Sequence, residues 1–293
     1  MKAPAVMRLG VPFFCFFAYN QFVMKHYFQA FLISLLIFPL SAQSFNIRGS
    51  GKVFSLDART DTLLMLEGAV LSGADLILDN ALKANRAEYD FSKVYDKSDV
   101  NAFDRFFMNS YSSSLDRAGD LMLVFAMASP CFLAAAEKDE WFTVGVMYAE
   151  TLLIANGIKE LKKLCVTRAR PYMYYDPSTY PEDDLEDGDF ANSFPSGHST
   201  MAFAGATFAS YTFSKYFPDS PYRYAVTGGS YALALTTAAL RIKSGNHFMT
   251  DVLTGAVIGS ATGFLVPWLH TFNTKNDLNL GLTGSGVFVK VKW

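Results

Sequence analysis

The stretch RIKSGNHFMTD, residues 241–251, decides how this chain folds. An apolar helical run closes at Arg241 and another opens at Asp251, with Ser244-Gly245-Asn246 as the turn between them. The pattern Arg241-x5-His247-x3-Asp251 sets a cation, an imidazole and a carboxylate at one corner. Two upstream segments carry matching chemistry: Pro195-Ser196-Gly197-His198 and Lys163-x6-Arg170-Pro171. Such a set can hold a phosphoryl group, attack it and protonate the oxygen that leaves.

Working outward, apolar runs and their separators predict helices near 61–82, 105–136 (with Pro130 as a break point), 142–164, 198–217, 223–241 and 251–270. The separators are Glu137-Lys138-Asp139-Glu140, the long loop 168–197, Phe217-Pro218-Asp219-Ser220-Pro221, and Ser244-Gly245-Asn246. The expected fold is all-α: an antiparallel bundle of about six helices, membrane-embedded, with short extended segments at both termini. Short connections make consecutive helices antiparallel neighbours. Lys163 then ends the third helix, Ser196 to His198 begin the fourth, Arg241 ends the fifth and Asp251 begins the sixth. In an up-down bundle these ends share one face.

Each residue type has a reason to be there. Phosphoryl oxygens carry negative charge that spreads in the transition state, so fixed cations lower the barrier. Lys163, Arg170 and Arg241 are the candidate clamp, although a lone cation at a helix end also serves simply to complement the dipole. Lys162 and Arg168 fail the spacing and are left out. Ser196 and Gly197 open a helix whose free N–H groups make a phosphate seat, while Ser196 is equally suited to plain capping. His198 and His247 are two of only four histidines. One neutral imidazole can attack phosphorus and a second, protonated, can donate to the leaving oxygen. Asp251, four residues after His247, is placed to accept that ring's other N–H; by itself it reads as the cap of the last helix.

These three segments, in this order, resemble the type 2 phosphatidic acid phosphatase superfamily, which also holds bacterial acid phosphatases and vanadium haloperoxidases. The resemblance covers roughly residues 61–270 and is specific at the motifs. It implies that His247 is the nucleophile, His198 the general acid and Asp251 the residue that orients the nucleophile. It also implies that Lys163, Arg170, Ser196, Gly197 and Arg241 bind phosphate, and that no metal takes part. The superfamily usually has Ser before the third-motif arginine; Leu240 stands there, so a hydroxyl donor is missing. The expectation is a metal-independent phosphatase acting on a lipid phosphate or pyrophosphate through a phosphohistidine. The alternatives are a soluble periplasmic acid phosphatase and, at a distance, a vanadium-dependent haloperoxidase. No cofactor and no obligate protein partner is expected.

Composition agrees with a membrane setting. Apolar residues make up 51% of the 293 and charged residues only 18%, below the usual quarter. A formal net charge of −2 gives no case for nucleic acid. Cys15, Cys131 and Cys165 have no metal-like spacing and read as small hydrophobes. Residues 1–42 read as a leader, a signal peptide or an anchor, with Met24 as a candidate true start. The helical domain then spans 43–272, and 273–293 is a tail whose end, 287–293, alternates as a strand and was open to pairing with part of 43–58. Gly255, Gly259 and Gly263 lay a smooth stripe along the last helix for close helix approach. Seven acidic residues between Asp176 and Asp189 read as a solvated loop, or as a lid that repels polyanions or binds a cation; a calcium-loop pattern is absent. The expected location is a bacterial inner membrane with a periplasm-facing site, the leader serving as anchor and helix 61–82 lying on the surface. The alternative location is the periplasm as a soluble protein.

Overall fold

The computed structural model describes residues 53–82, 95–186, 188–272, 278–283 and 286–291. The leader expected over 1–42 lies outside them. Eight α-helices follow in order: α1 Ala58–Leu82, α2 Ala102–Phe107, α3 Ser113–Met127, α4 Trp141–Cys165, α5 Glu182–Glu186, α6 Gly197–Tyr216, α7 Tyr222–Lys243 and α8 Met249–Leu269. The long ones match the expected helices within a few residues, except in the second, where 105–136 does not start as one helix: α2 ends at Phe107 and α3 opens only at Ser113, while the expected break at Pro130 is present. There α3 stops at Met127 and the chain continues as a 3-10 helix, Ser129–Ala135. Pro130 has no N–H to extend the α-helical ladder, so the tighter turn takes over.

α6 is the axis. Its sequence, GHSTMAFAGATFASYTFSKY, is small and hydroxylated, and thirteen of its twenty residues are buried. Small residues let neighbouring helices come close, and the buried hydroxyls turn back on their own helix. Thr200 and Ser210 donate to the carbonyls four residues earlier at 2.9 and 2.7 Å. α3, α7, α8 and α4 pack around it. The glycine stripe of α8 meets α6 as expected. A Cβ on Gly255, Gly259 or Gly263 would stand 2.5, 2.1 or 2.6 Å from the carbonyl oxygens of Ser196, Thr200 and Ala204. The two backbones therefore touch along most of their length.

Two expectations change. α1 does not lie apart on the surface. It runs beside α4 in the same direction, Gly68 against Leu153 and Leu71 against Gly157, and glycine on each helix permits the approach. Its start lies at the end of the bundle where Ser55 N donates to the His270 carbonyl at 2.8 Å. The tail strand Gly286–Val291 pairs antiparallel with Leu278–Thr283 as a hairpin, Leu278 facing Val291; of the other expected partner, 43–58, only 53–58 lie among the described residues, and they form no strand. A strand this near in sequence closes a shorter loop at lower entropy cost.

Among the described residues, three helical stretches are long and apolar enough to cross a membrane: Ser113–Ala135, Lys138–Leu161 and Met249–Leu269. Large apolar side chains stay exposed along them, among them Leu121, Val124, Phe125, Val257 and Leu265.

The glycine contact predicts a position-specific cost. Gly259→Ala should destabilise the protein by about 1–3 kcal/mol, the usual penalty of overpacking. Gly228→Ala, with nothing within 4 Å of the new methyl, should be neutral or stabilising by up to ~1 kcal/mol. Thermal unfolding of both variants in detergent checks the pair.

Candidate active site

The bundle's connections bring six chain segments to one end. α3 starts there, α4 ends there, loop 166–196 covers it, α6 starts there, α7 ends there and α8 starts there. Between them lies a cleft of about 350 Å³ lined by, among others, Lys159, Arg170, Gly197, His198, Arg241 and His247.

Gly245 sets the corner between α7 and α8. Its φ of 78° is a left-handed conformation, and a Cβ there would meet the Ser110 carbonyl oxygen at 2.6 Å. The turn is pinned because Tyr172 N donates to the Gly245 carbonyl at 3.1 Å. His247 follows, buried, with Nδ1 2.7 Å from the Ser193 carbonyl oxygen. A carbonyl only accepts, so Nδ1 carries the proton and Nε2 keeps the lone pair. Burial, then Arg170 and Arg241, hold this imidazole well below the usual histidine range. His247 is a neutral base with a fixed tautomer.

Asp251 stands behind it and does not make the direct hydrogen bond expected from the spacing. Its Oδ2 is 3.9 Å from Nδ1. The carboxylate instead accepts from Phe248 N at 2.8 Å, from Ser193 Oγ at 2.5 Å and from the Arg168 guanidinium. It thus caps α8 and holds the segment whose carbonyl orients His247. Arg168, set aside on spacing, also donates to Asp104 Oδ2 at 2.7 Å and to Thr250 Oγ1 at 2.8 Å. Its guanidinium covers the Phe248 ring, 4.0 Å from the centroid.

The two arginines of the clamp meet in the cleft, both buried. Arg170 donates to Asn246 Oδ1 at 2.7 Å, and Asn246 Nδ2 donates to Asp116 Oδ1 at 2.9 Å. Asp116 also accepts from Arg241, while Asp189 accepts from Arg170. Arg241 Nε is buried with no hydrogen-bond partner among the described residues. Among the described loop carboxylates, Asp189, on Arg170, and Asp184, which accepts from Tyr172 Oη at 2.6 Å, face inward.

His198 lies in the first turn of α6 with Nε2 2.7 Å from Asp120 Oδ1. A carboxylate accepts, so Nε2–H donates. Burial first, and Arg241 second, push His198 down to about 4, while the Asp120 contact opposes them. Ser196 does what a cap does. Its Oγ accepts from Ser199 N at 3.3 Å, and its own N donates to the Asp251 carbonyl at 3.1 Å. Both groups are thereby committed away from the cleft, where Gly197 and His198 are present and Ser196 is not. Lys163 lies in the last turn of α4, and its side chain is outside the described set. Lys159, one turn earlier, reaches the cleft and pairs with Glu160. Spacing alone missed Asp116, Asp120, Lys159 and Asn246. Asn246 had the best available signal, sitting between the positive-φ glycine and the histidine.

The model of the PAP2 superfamily matches residues 144–275. That segment is similar to the PAP2 superfamily. A protein described as lipid A 1-phosphatase from Porphyromonas gingivalis is 30% identical over 59% of this chain and 35% of its own length. Proteins of the same description from Rhizobium etli and Rhizobium johnstonii are each 31% identical, over 46% and 44% of their lengths. The chain thus spans a third to under half of these curated relatives. Among solved structures, a transmembrane PAP2-type phosphatidylglycerolphosphate phosphatase from Bacillus subtilis is 21% identical, with 71% of this chain and 94% of that one covered at a TM-score of 0.35.

The His198–Asp120 contact predicts a titration. His198 should titrate well below an ordinary histidine, and Asp120→Asn should lower it further, because the contact that favours the charged ring is removed. Histidine-selective NMR of the detergent-solubilised protein reads both. An unchanged or raised value in Asp120→Asn would show that the contact does not hold in solution.

Proposed function

We propose that this protein hydrolyses a lipid phosphate at the cleft through a phosphohistidine on His247. The observation that carries this reading is the His247 tautomer. The Ser193 carbonyl leaves the Nε2 lone pair on a buried, neutral ring, in a cleft that also holds Arg170, Arg241 and Lys159. The guanidiniums and Lys159 receive the non-bridging oxygens, aided by the free N–H groups at the start of α6. Nε2 forms a bond to phosphorus as the ester P–O bond breaks, and the leaving oxygen takes a proton from His198. Water then cleaves the P–N bond, giving its proton to the now neutral His198.

A phosphate dianion entering the cleft stabilises the imidazolium of His198, which recharges the acid only when substrate is present. Arg168 and Asp251 position His247 without touching substrate. No step in this scheme calls on a metal.

The substrate class rests on the setting. Three candidate spans with exposed apolar side chains surround the cleft's bundle. Exposed Trp141, Tyr222 and Tyr224 mark the far end, as interfacial aromatics do. α2 presents Phe103 and Phe106 outward near the cleft. A substrate held in a bilayer reaches such a site with its phosphate at the surface. The relatives' description, lipid A 1-phosphatase, makes a lipid A 1-phosphate the first candidate. The cleft is placed on the periplasmic side of an inner membrane. Because α1 begins at the far end, this places residues 55–57 on the cytoplasmic side.

His247→Ala should lower kcat on the order of 10³-fold or more, since no other group reaches phosphorus. His198→Ala should lose most activity on alkyl and sugar phosphates and much less on an aryl phosphate, whose leaving group needs no proton. Comparable loss on all leaving groups would refute the acid assignment. Vanadate should inhibit by mimicking the transfer geometry, and bromide oxidation by the vanadate-loaded protein would favour the haloperoxidase alternative. A panel of lipid A-type phosphates, prenyl pyrophosphates, phosphatidic acids and an aryl phosphate sorts substrates. A reporter near Glu186 tests orientation: cytoplasmic labelling overturns the periplasmic placement.

A further inference from the structure

At the end of the bundle remote from the cleft, three residues from three elements converge: Asp61 in α1, Glu150 in α4 and His270 just after α8. One donor atom from each lies within 4.8 Å of the other two. All three residues are buried, Glu150 completely. His270 Nε2 is 3.0 Å from Asp61 Oδ1 and 3.3 Å from Glu150 Oε2. The cluster is separate from the cleft. Asp251 and His270 stand at opposite ends of α8, about 28 Å apart along the helix at 1.5 Å per residue.

The ring's other nitrogen settles what is being asked of this cluster. His270 Nδ1 is 2.8 Å from the Val266 carbonyl oxygen. That oxygen only accepts, so Nδ1 carries a proton. In a neutral ring Nε2 then turns a lone pair toward two carboxylates. Three acceptors facing one another in a buried space repel unless a positive charge lies among them.

Three remedies are available: a second proton on the ring, a proton on the Glu150 carboxyl, or a cation. A proton on Nε2 serves one oxygen. It goes to Asp61 at 3.0 Å and leaves Glu150 buried, with neither carboxylate oxygen in a hydrogen bond. A cation serves all three groups at once. Ligand atoms about 2.1 Å from a zinc-type ion and 90–110° apart lie roughly 3.0–3.4 Å from one another. The two imidazole–carboxylate separations, 3.0 and 3.3 Å, fall in that range. A histidine whose second nitrogen donates to a backbone carbonyl is also the usual arrangement of a metal-bound imidazole. Ionisable residues at such a depth in an apolar helix are costly unless they have a partner of this kind.

We infer that Asp61, Glu150 and His270 bind a divalent first-row transition ion, of the zinc class by its mixed nitrogen and oxygen donors. The ion fastens α1 to α4 and to the end of α8, and it takes no part in chemistry at the cleft. The sequence led to an expectation of no metal because Asp61 and His270 are 209 residues apart and no local spacing joins them.

The test uses the full-length protein in detergent, stripped with a chelator, reloaded with Zn²⁺ or Mn²⁺ and desalted. Elemental analysis should find one ion per chain in the wild type, with at least tenfold less in Glu150→Gln and His270→Gln. X-ray absorption of the loaded wild type should show a nitrogen and oxygen shell containing imidazole. This readout does not depend on whether the variants fold. The thermal midpoint of the wild type should fall on stripping and return on reloading. A wild type that retains no ion, or a shell without imidazole, overturns the inference and leaves a proton, on His270 or on Glu150, to balance the cluster. A folded Glu150→Gln that binds as much ion as the wild type overturns it as well. None of these outcomes bears on the role of His247.

Discussion

The active end of this bundle depends on one buried carboxylate. Asp251 takes the Phe248 amide, the Ser193 hydroxyl and the Arg168 guanidinium, and its own carbonyl receives the Ser196 amide. A carboxylate out of water is costly unless each lone pair is used. Here the partners come from the last helix, from the long loop and from the start of the central helix. Meeting Asp251's demand therefore assembles the corner. The Ser193 carbonyl arrives at His247 because the Ser193 hydroxyl is held by Asp251. The helix-capping function and the orienting function are one set of hydrogen bonds.

The proposed phosphate clamp is built in the same way. Arg170 and Arg241 are like charges in one cleft and would drift apart without counter-charges. Asn246 and Asp116 link them into a chain, and Asp189 holds the outer face of Arg170. Positioning charges in advance spares the reorganisation that would otherwise accompany substrate binding. It also means an arriving phosphate competes with carboxylates that already occupy the guanidiniums.

Much of this was legible in the chain. Long apolar runs with charged or proline-bearing separators placed the long helices within a few residues, and antiparallel packing alone brought the motif-bearing ends together. The glycine stripe was legible because a four-residue period on a helix has one geometric meaning. What failed to show was whatever depends on a partner distant in sequence. Asp116 and Asp120 sit in the first two turns of α3, where acidic residues are unremarkable. Arg168 fails the motif spacing because it reaches across to Asp104 and Asp251 from a loop. The histidine–aspartate spacing suggested a direct contact, and a backbone carbonyl, which no sequence pattern can mark, took that place. The tail strand's alternation was clear, and its partner was also marked: Gly284-Ser285, the two residues between Leu278–Thr283 and Gly286–Val291, are a hairpin turn signal that the alternation alone did not bring out.

The backbone contact between α6 and α8 works as a ruler. Gly255, Gly259 and Gly263 leave no compressible side chain between the two helices, so the interval separating His198 on one from the His247 corner of the other is set by backbone thickness. The loop 166–196 bears no such constraint over much of its length. Residues can be added or exchanged there, and the shape of the opening altered, while the distance between the two imidazoles stays the same. A lineage built on this frame can change which molecules it admits without having to rediscover how to cut them.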